Sequence, residues 1–540
     1  MFNARHLILA HLSVAFATFA LSLFLGEWQM VVRSPLHPWV WNPEDYYRSV
    51  TAHGSAMAYV FPTLIAMGFG YAICVGALQQ PLIGLRVAWS AFYLVIIGTL
   101  LAMAPVAAGS ASVLYTFYPP LIANAFYYIG IVLVVVGSWI WVAILHINQR
   151  AWRRKHPAAP MPLAMFANLA GAYLWAWTAV GAALEILLQI LPVALRFRTT
   201  IDAGLARVLF SWTLHAIVYF WLIPTYIAYY TIVPRAIGGR LYSDTMGRLA
   251  FALFLVFSMP IGAHHLFADP MVGSGIKLMH AIFTGMVAVP TLLTVFTIAA
   301  TVELAARVRG GRGLLKWLGA LPWGSPAMLA LAFSFVMLGL GGAGGLINMS
   351  YQLNSTVHNT QWITGHFHLI FAGAIVIMYF VIAYDLWPHL TGRDLGPLWL
   401  ARVQLWLWFI GLLVLTLPWH WAGLLGQPRR MAYFDYSSPL IAPQAWTVTT
   451  SVIGGAIVLV SGILFVCILA LAPWRAQVET PAYHFSESLH EVAAVPKGLN
   501  GLGLWFALMV VLTVVNYGFP IWQLAQLKTS VPAIYVEASQ

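Results

Sequence analysis

Thirteen apolar stretches of about 18 residues or more divide this chain, and each is long enough to cross a bilayer as one helix. They fall at roughly 6–30, 47–77, 84–106, 121–147, 164–191, 205–233, 247–268, 277–305, 324–346, 358–388, 398–424, 446–472 and 501–524. The expected fold is all-α: a polytopic membrane protein of about 13 transmembrane helices, with 1–540 as a single integral membrane domain. Only 8% of the residues are charged, about a third of the share in a soluble domain. The first stretch is too long and too evenly apolar for a cleaved signal and is kept as a helix.

Basic residues orient the bundle. The N-terminus, the loops after even-numbered spans and the first turns of the spans that follow them hold 17 of the 26 Lys and Arg, among them Arg150, Arg153, Arg154, Lys155, Arg307, Arg309, Arg312 and Lys316. By the positive-inside rule the N-terminus is cytoplasmic and the C-terminus lies on the outer side. The net charge of +11 follows from this bias, so no nucleic-acid partner is expected. Cys74 and Cys467 both fall within spans, so a sulfur cluster or a dinuclear copper centre would have to sit on another chain. The polar break at about 473–500 joins the last two spans and separates no domain.

Histidines inside the spans carry the functional signal, because ionisable side chains in a bilayer are rare and default to a functional reading. In Gly365-His366-Phe367-His368 the two imidazoles lie about 200° apart on a helix. They cannot share one metal, but they can hold two flat cofactors, one on each side of a thin helical wall. His53, in the small-residue stretch Thr51-Ala52-His53-Gly54-Ser55-Ala56, lies at a similar depth, so it and one member of the pair can ligate one heme iron from its two faces. His215 and Tyr219 are spaced i, i+4 and share a helix face. His264 and His265 diverge by about 100°, and Pro260 and Gly262 supply a bend there. Three imidazoles from two helices make a plausible copper site with an open position.

Outside the spans, Arg429-Arg430 can bind heme propionates bidentately, and His358 is placed to reach the same groups. Tyr219, Tyr226 and Tyr230 descend one span over roughly 22 Å of helix rise, with Thr291 and Thr294 at comparable depth on span eight. Hydroxyls donate and accept, so this series with water suits a proton relay. His37, His156, His389, His484 and His490 are expected at the interface, as is Glu185.

Four motifs now form a pattern: His215-Ala216-Ile217-Val218-Tyr219-Phe220-Trp221-Leu222; Gly262 through Pro270; Val357-His358-Asn359-Thr360 through His368; and His420-Trp421-Ala422-Gly423-Leu424 followed by Pro428-Arg429-Arg430. With them the chain resembles subunit I of the heme–copper oxidases, and more closely the B-type cytochrome c oxidases of prokaryotes, whose place is the cell membrane. The resemblance implies that His53 and His368 ligate a low-spin heme of b type, that His366 ligates a high-spin heme of a type, and that His215, His264 and His265 hold the copper called CuB. It further implies that Tyr219 is joined covalently to His215 and that Tyr226, Tyr230, Thr291 and Thr294 line a single K-type proton channel. The implied partners are a subunit II with a dinuclear copper centre, a cytochrome c or similar donor, O2, membrane lipid and a small accessory helical subunit.

Two positions depart from similar chains. Ile217 stands where the other large branch has a Glu ending a second proton channel, so no such channel is expected. Asn354 stands where the resemblance leads one to expect an Asp, and Asn cannot titrate. Two rivals remain open at this point: a nitric oxide reductase of the same superfamily, which needs a glutamate ligand and lacks the cross-linked tyrosine, and a non-redox cation transporter.

Overall fold

The computed structural model describes residues 3–37, 42–480, 483–486, 488–489, 495–527 and 529–537; His490 lies outside them. Thirteen helices follow the expected spans: α1 (Arg5–Arg33), α2 (Pro43–Leu78), α3 (Leu85–Ala107), α4 (Ala125–Lys155), α5 (Leu163–Ala194), α6 (Ala203–Ala236), α7 (Asp244–Phe257), α8 (Ser274–Val308), α9 (Pro326–Met349), α10 (Gln361–Thr391), α11 (Leu398–Leu424), α12 (Ala442–Ala470) and α13 (Gly503–Leu527). Twelve of these are long and apolar enough to cross a membrane. The exception is α7, whose 14 residues stop short because Pro260 and Gly262 break the chain into a tight turn at Gly262–Leu266. The seventh expected span, 247–268, is therefore a short helix completed by the turn that bears His264 and His265.

Burial ranks the helices. The apolar windows of α2, α6 and α10 are 94, 94 and 78% buried, against 28–56% in the other long helices. These three form the centre, and they carry His53, His215 with Tyr219, and His366 with His368. The remaining helices keep apolar faces such as Leu100, Leu292, Val511 and Trp522 at the surface, as a lipid-facing ring requires.

Local chemistry shapes the central helices. Pro62 has no N–H, which frees the Ala58 carbonyl four residues earlier; that carbonyl accepts the Trp221 indole N–H of α6 at 3.0 Å. The helix is widened here into a π turn at Ala56–Val60, three residues past His53. A second π turn, Leu369–Val376, follows His368 directly. Its loosened carbonyls are taken by three neighbours: Trp408 of α11 donates to Ala372, Ser334 of α9 to Ala374 and Thr225 of α6 to Ile375. Such π turns cluster at functional sites because they turn backbone polar groups outward.

At one end of the bundle the basic loops meet. Arg5 donates to the Leu390 carbonyl, Arg309 to that of Ile237 and Arg393 to that of Arg475. Arg235 pairs with Asp385, which also accepts from Tyr483 at 2.8 Å. At the opposite end, four short strands anchor the tail that follows α13. Strand β1 (Leu121–Ile122) pairs in parallel with β4 (Ile534–Tyr535), and β2 (Thr200–Asp202) pairs antiparallel with β3 (Ser530–Pro532).

Candidate metal and cofactor centre

His215 interrupts α6: regular helix ends at Leu214 and resumes at Ala216. The imidazole reaches the turn after α7, so that one ring nitrogen each from His215, His264 and His265 lie within 4.8 Å of one another. The His215 Nδ1 stands 2.9 Å from His265 Nε2, and its Nε2 stands 3.3 Å from the Tyr219 hydroxyl. On the other side of the cluster, the Thr284 hydroxyl donates to the His280 carbonyl. Its oxygen is thus left to accept from His264 Nδ1 at 3.0 Å, and His264 Nε2 keeps its lone pair for a metal.

Three further groups hold the turn; the sequence reading passed over His280 and Tyr517 and took Gly262 only as a source of bending. The Ala263 N–H donates to His280 Nδ1 at 3.0 Å. The Tyr517 hydroxyl of α13 donates to the Ser211 carbonyl at 3.1 Å and lies 3.4 Å from that of Met259, so one phenol ties α6 to the turn. Gly262 is required by close approach: a Cβ there would stand 1.9 Å from the Ser211 carbonyl oxygen. His280 was findable, as a histidine inside span eight. Tyr517 had no local signal.

A cavity of about 800 Å³ connects all the expected ligands. His366 lies within electrostatic reach of His215, His264 and His265, while His368 lies within reach of His53. The two rings of the Gly-His-Phe-His motif therefore serve opposite sides of α10. His53 Nδ1 and His368 Nδ1 each meet a backbone carbonyl, Ser22 and Thr364, at 2.8 Å, which leaves both Nε2 atoms for an axial ligand role. This donor set, two imidazoles with spent Nδ1 atoms across an apolar slot, fits a heme; the tri-imidazole cluster with a free Nε2 fits copper.

Arg429 and Arg430 line the same cavity, as do His358 and Arg33. Desolvation, then the charge of Arg430, pulls the half-buried Arg429 guanidinium down to about 10, with no carboxylate beside it. Arg429 Nη2 donates to Asn359 Oδ1 at 2.9 Å, and Asn359 and Arg430 both adopt a positive φ, 59° and 58°. Asn354 fits its place as an amide: its Nδ2 donates to the Asn348 carbonyl at 2.9 Å and its Oδ1 meets His358 Nδ1 at 3.1 Å. An Asp could not donate.

The tyrosine series also comes together. Tyr226 donates to Thr291 Oγ1 at 3.3 Å and Tyr230 to Thr294 Oγ1 at 3.2 Å. Thr291 lines the main cavity, and Tyr230 lines a second cavity of about 480 Å³ together with Asp244, Arg240 and Gln79.

One expectation is corrected. Glu185 is fully buried, and neither carboxylate oxygen has a partner. The interfacial placement failed because α5 continues past it through the π turn Ile186–Ile190 to Ala194, which draws the side chain into the bundle.

Fold and site together define a polytopic membrane protein in which three histidines that could hold a metal ion share one cavity with the imidazoles of His53, His366 and His368. The chain belongs to the family described as Cytochrome C and Quinol oxidase polypeptide I, whose profile matches residues 6–457; it is a subunit I of the heme–copper terminal oxidases, a family that implies hemes and CuB. It is 37% identical to cytochrome c oxidase subunit 1 of Thermus thermophilus over 490 residues, 89% of this chain and 87% of that one. It is 24% identical to the Synechocystis protein of the same name over 412 residues, 73% of this chain and 71% of that one. A solved heme–copper terminal oxidase dimer superposes with a TM-score of 0.94 at 31% identity, covering 100% of this chain and 96% of that one.

Proposed function

We propose that this chain is the catalytic subunit of a B-type oxidase that draws electrons from a cytochrome c and reduces O2 to water. The observation that carries the reading is the His215, His264, His265 cluster, with Tyr219 3.3 Å from His215 and His366 across the cavity. His53 and His368 would hold a low-spin heme b, His366 a high-spin a-type heme, and the cluster copper; bound there, they supply the electrons that O2 needs. Tyr219, joined to His215, holds a further electron and a proton next to the oxygen. Arg429, Arg430 and His358 neutralise and orient the propionates.

Protons reach the site from the cytoplasmic, basic end. Tyr230, bonded to Thr294, faces the second cavity, and Tyr226 passes protons on to Thr291 and Tyr219. The path is single, because Ile217 ends no second one. Four electrons and four protons convert one O2 to two waters, and further protons cross to the outer side. The electrons arrive from a subunit II with a dinuclear copper centre, since the cysteines of this chain cannot build one. A pyridine hemochrome spectrum with copper quantification tests the reading: two hemes and one copper per chain are expected, and iron without copper would overturn it.

A further inference from the structure

The main cavity is lined by four arginines, Arg33, Arg207, Arg429 and Arg430, and by a single carboxyl group, Glu27. Glu27 stands on α1 beside Gly26, whose Cα packs so closely on His53 that a Cβ would lie 3.1 Å from the imidazole Cε1. Its side chain crosses to α12 at Gly455, where an added Cβ would meet Oε2 at 2.0 Å. A residue with any side chain at 455 would evict the carboxyl. Oε2 is buried and has no hydrogen-bond partner, and Leu23, Val458 and Leu459 share its wall of the cavity.

The groups that titrate or carry charge around it are few. They are Arg33 on α1, Tyr46 and His53 on α2 and His368 on α10; α12 has none from Ala442 to Val466. Arg86 and Tyr93 of α3, and Tyr379, Tyr384 and Asp385 of α10, belong to the basic half of the bundle. The copper side carries the imidazoles of His215, His264, His265 and His366 and the Tyr219 phenol, but no carboxyl group among the described residues that line the cavity. An electron arriving in a low-dielectric cavity adds a charge that a proton must compensate. The one carboxyl in this cavity sits on the His53 side.

We propose that Glu27 is the proton partner of the low-spin heme. The assignment rests on His53 and His368 holding that heme. Glu27 takes up one proton from the bulk aqueous phase, passing from carboxylate to carboxylic acid, as one electron from the partner copper centre reduces the ferric iron. It releases that proton when the electron moves on to the high-spin side. Charge on the low-spin side is thus balanced at each transfer by a residue that plays no part in oxygen chemistry.

Potentiometric titration of the low-spin heme in the purified oxidase, with the high-spin site blocked by cyanide, tests this. In the wild type its midpoint potential should fall as pH rises. In Glu27→Gln the potential should lose that slope while the low-spin absorbance keeps its position. Equal slopes in the two proteins, or no slope in the wild type, would overturn the proposal. If Glu27→Gln does not assemble, redox-difference infrared spectra of the wild type decide: reduction should create a carboxylic acid C=O band that shifts in D2O, and its absence overturns the proposal. A preparation with no low-spin heme would instead overturn the assignment of His53 and His368.

Discussion

His366 and His368 differ by two positions in sequence and, in the proposed function, by a whole cofactor in space. Replacing each by Ala should therefore give different spectra: His366→Ala should remove the high-spin heme signal, and His368→Ala should disturb the low-spin one. Identical spectra would contradict the opposite-face geometry. At the other end of the tyrosine series, Tyr230→Phe removes one hydroxyl and leaves the ring packed on Phe251. Oxygen consumption should fall by roughly a hundredfold or more, the usual scale for loss of a positioned proton donor, with heme spectra unchanged; an unaltered rate would remove Tyr230 from the path. These residues were legible in the sequence because helix geometry is local: i, i+2 separates two rings and i, i+4 joins His215 to Tyr219 whatever the helices pack against.

At the scale of elements, the turn Gly262–Leu266 holds two of the three proposed copper ligands, His264 and His265, in a single short 3-10 turn. It is held from outside, by His280 of α8 and by Tyr517 of α13. Tyr517→Phe should cost about 1 kcal/mol and lower copper occupancy while both hemes remain, as measured by metal analysis beside the hemochrome spectrum. Gly262→Ala must displace the Ser211 carbonyl and should cost about 3 kcal/mol or more, with copper lost first. Full copper retention in both variants would show that the turn needs neither contact. Pro260 and Gly262 announced a bend, but nothing near them pointed to a phenol 255 residues further along the chain.

For the whole molecule, the gathering of Arg5, Arg235, Arg309, Arg393 and Arg475 at one end of the bundle argues for a cytoplasmic N-terminus and an outer C-terminal tail. A tag fused after Gln540 should be reached by protease added outside intact spheroplasts; a protected tag would reverse the topology. The tail is paired through β3 and β4 to loops at the end opposite those arginines.

By itself the sequence determined that thirteen segments are apolar, which of them carry imidazoles, and how those imidazoles are spaced along each helix, because hydrophobicity and helical periodicity are properties of neighbouring residues. The tertiary structure alone decided which groups meet across helices. It drew Glu185 out of the interface into the bundle, laid Glu27 over Gly455 beside the His53 slot, and brought Tyr517 to the copper turn. Contacts between helices depend on the order and tilt of packing, and no local pattern encodes which face of α1 meets α12 or where α13 closes against α6.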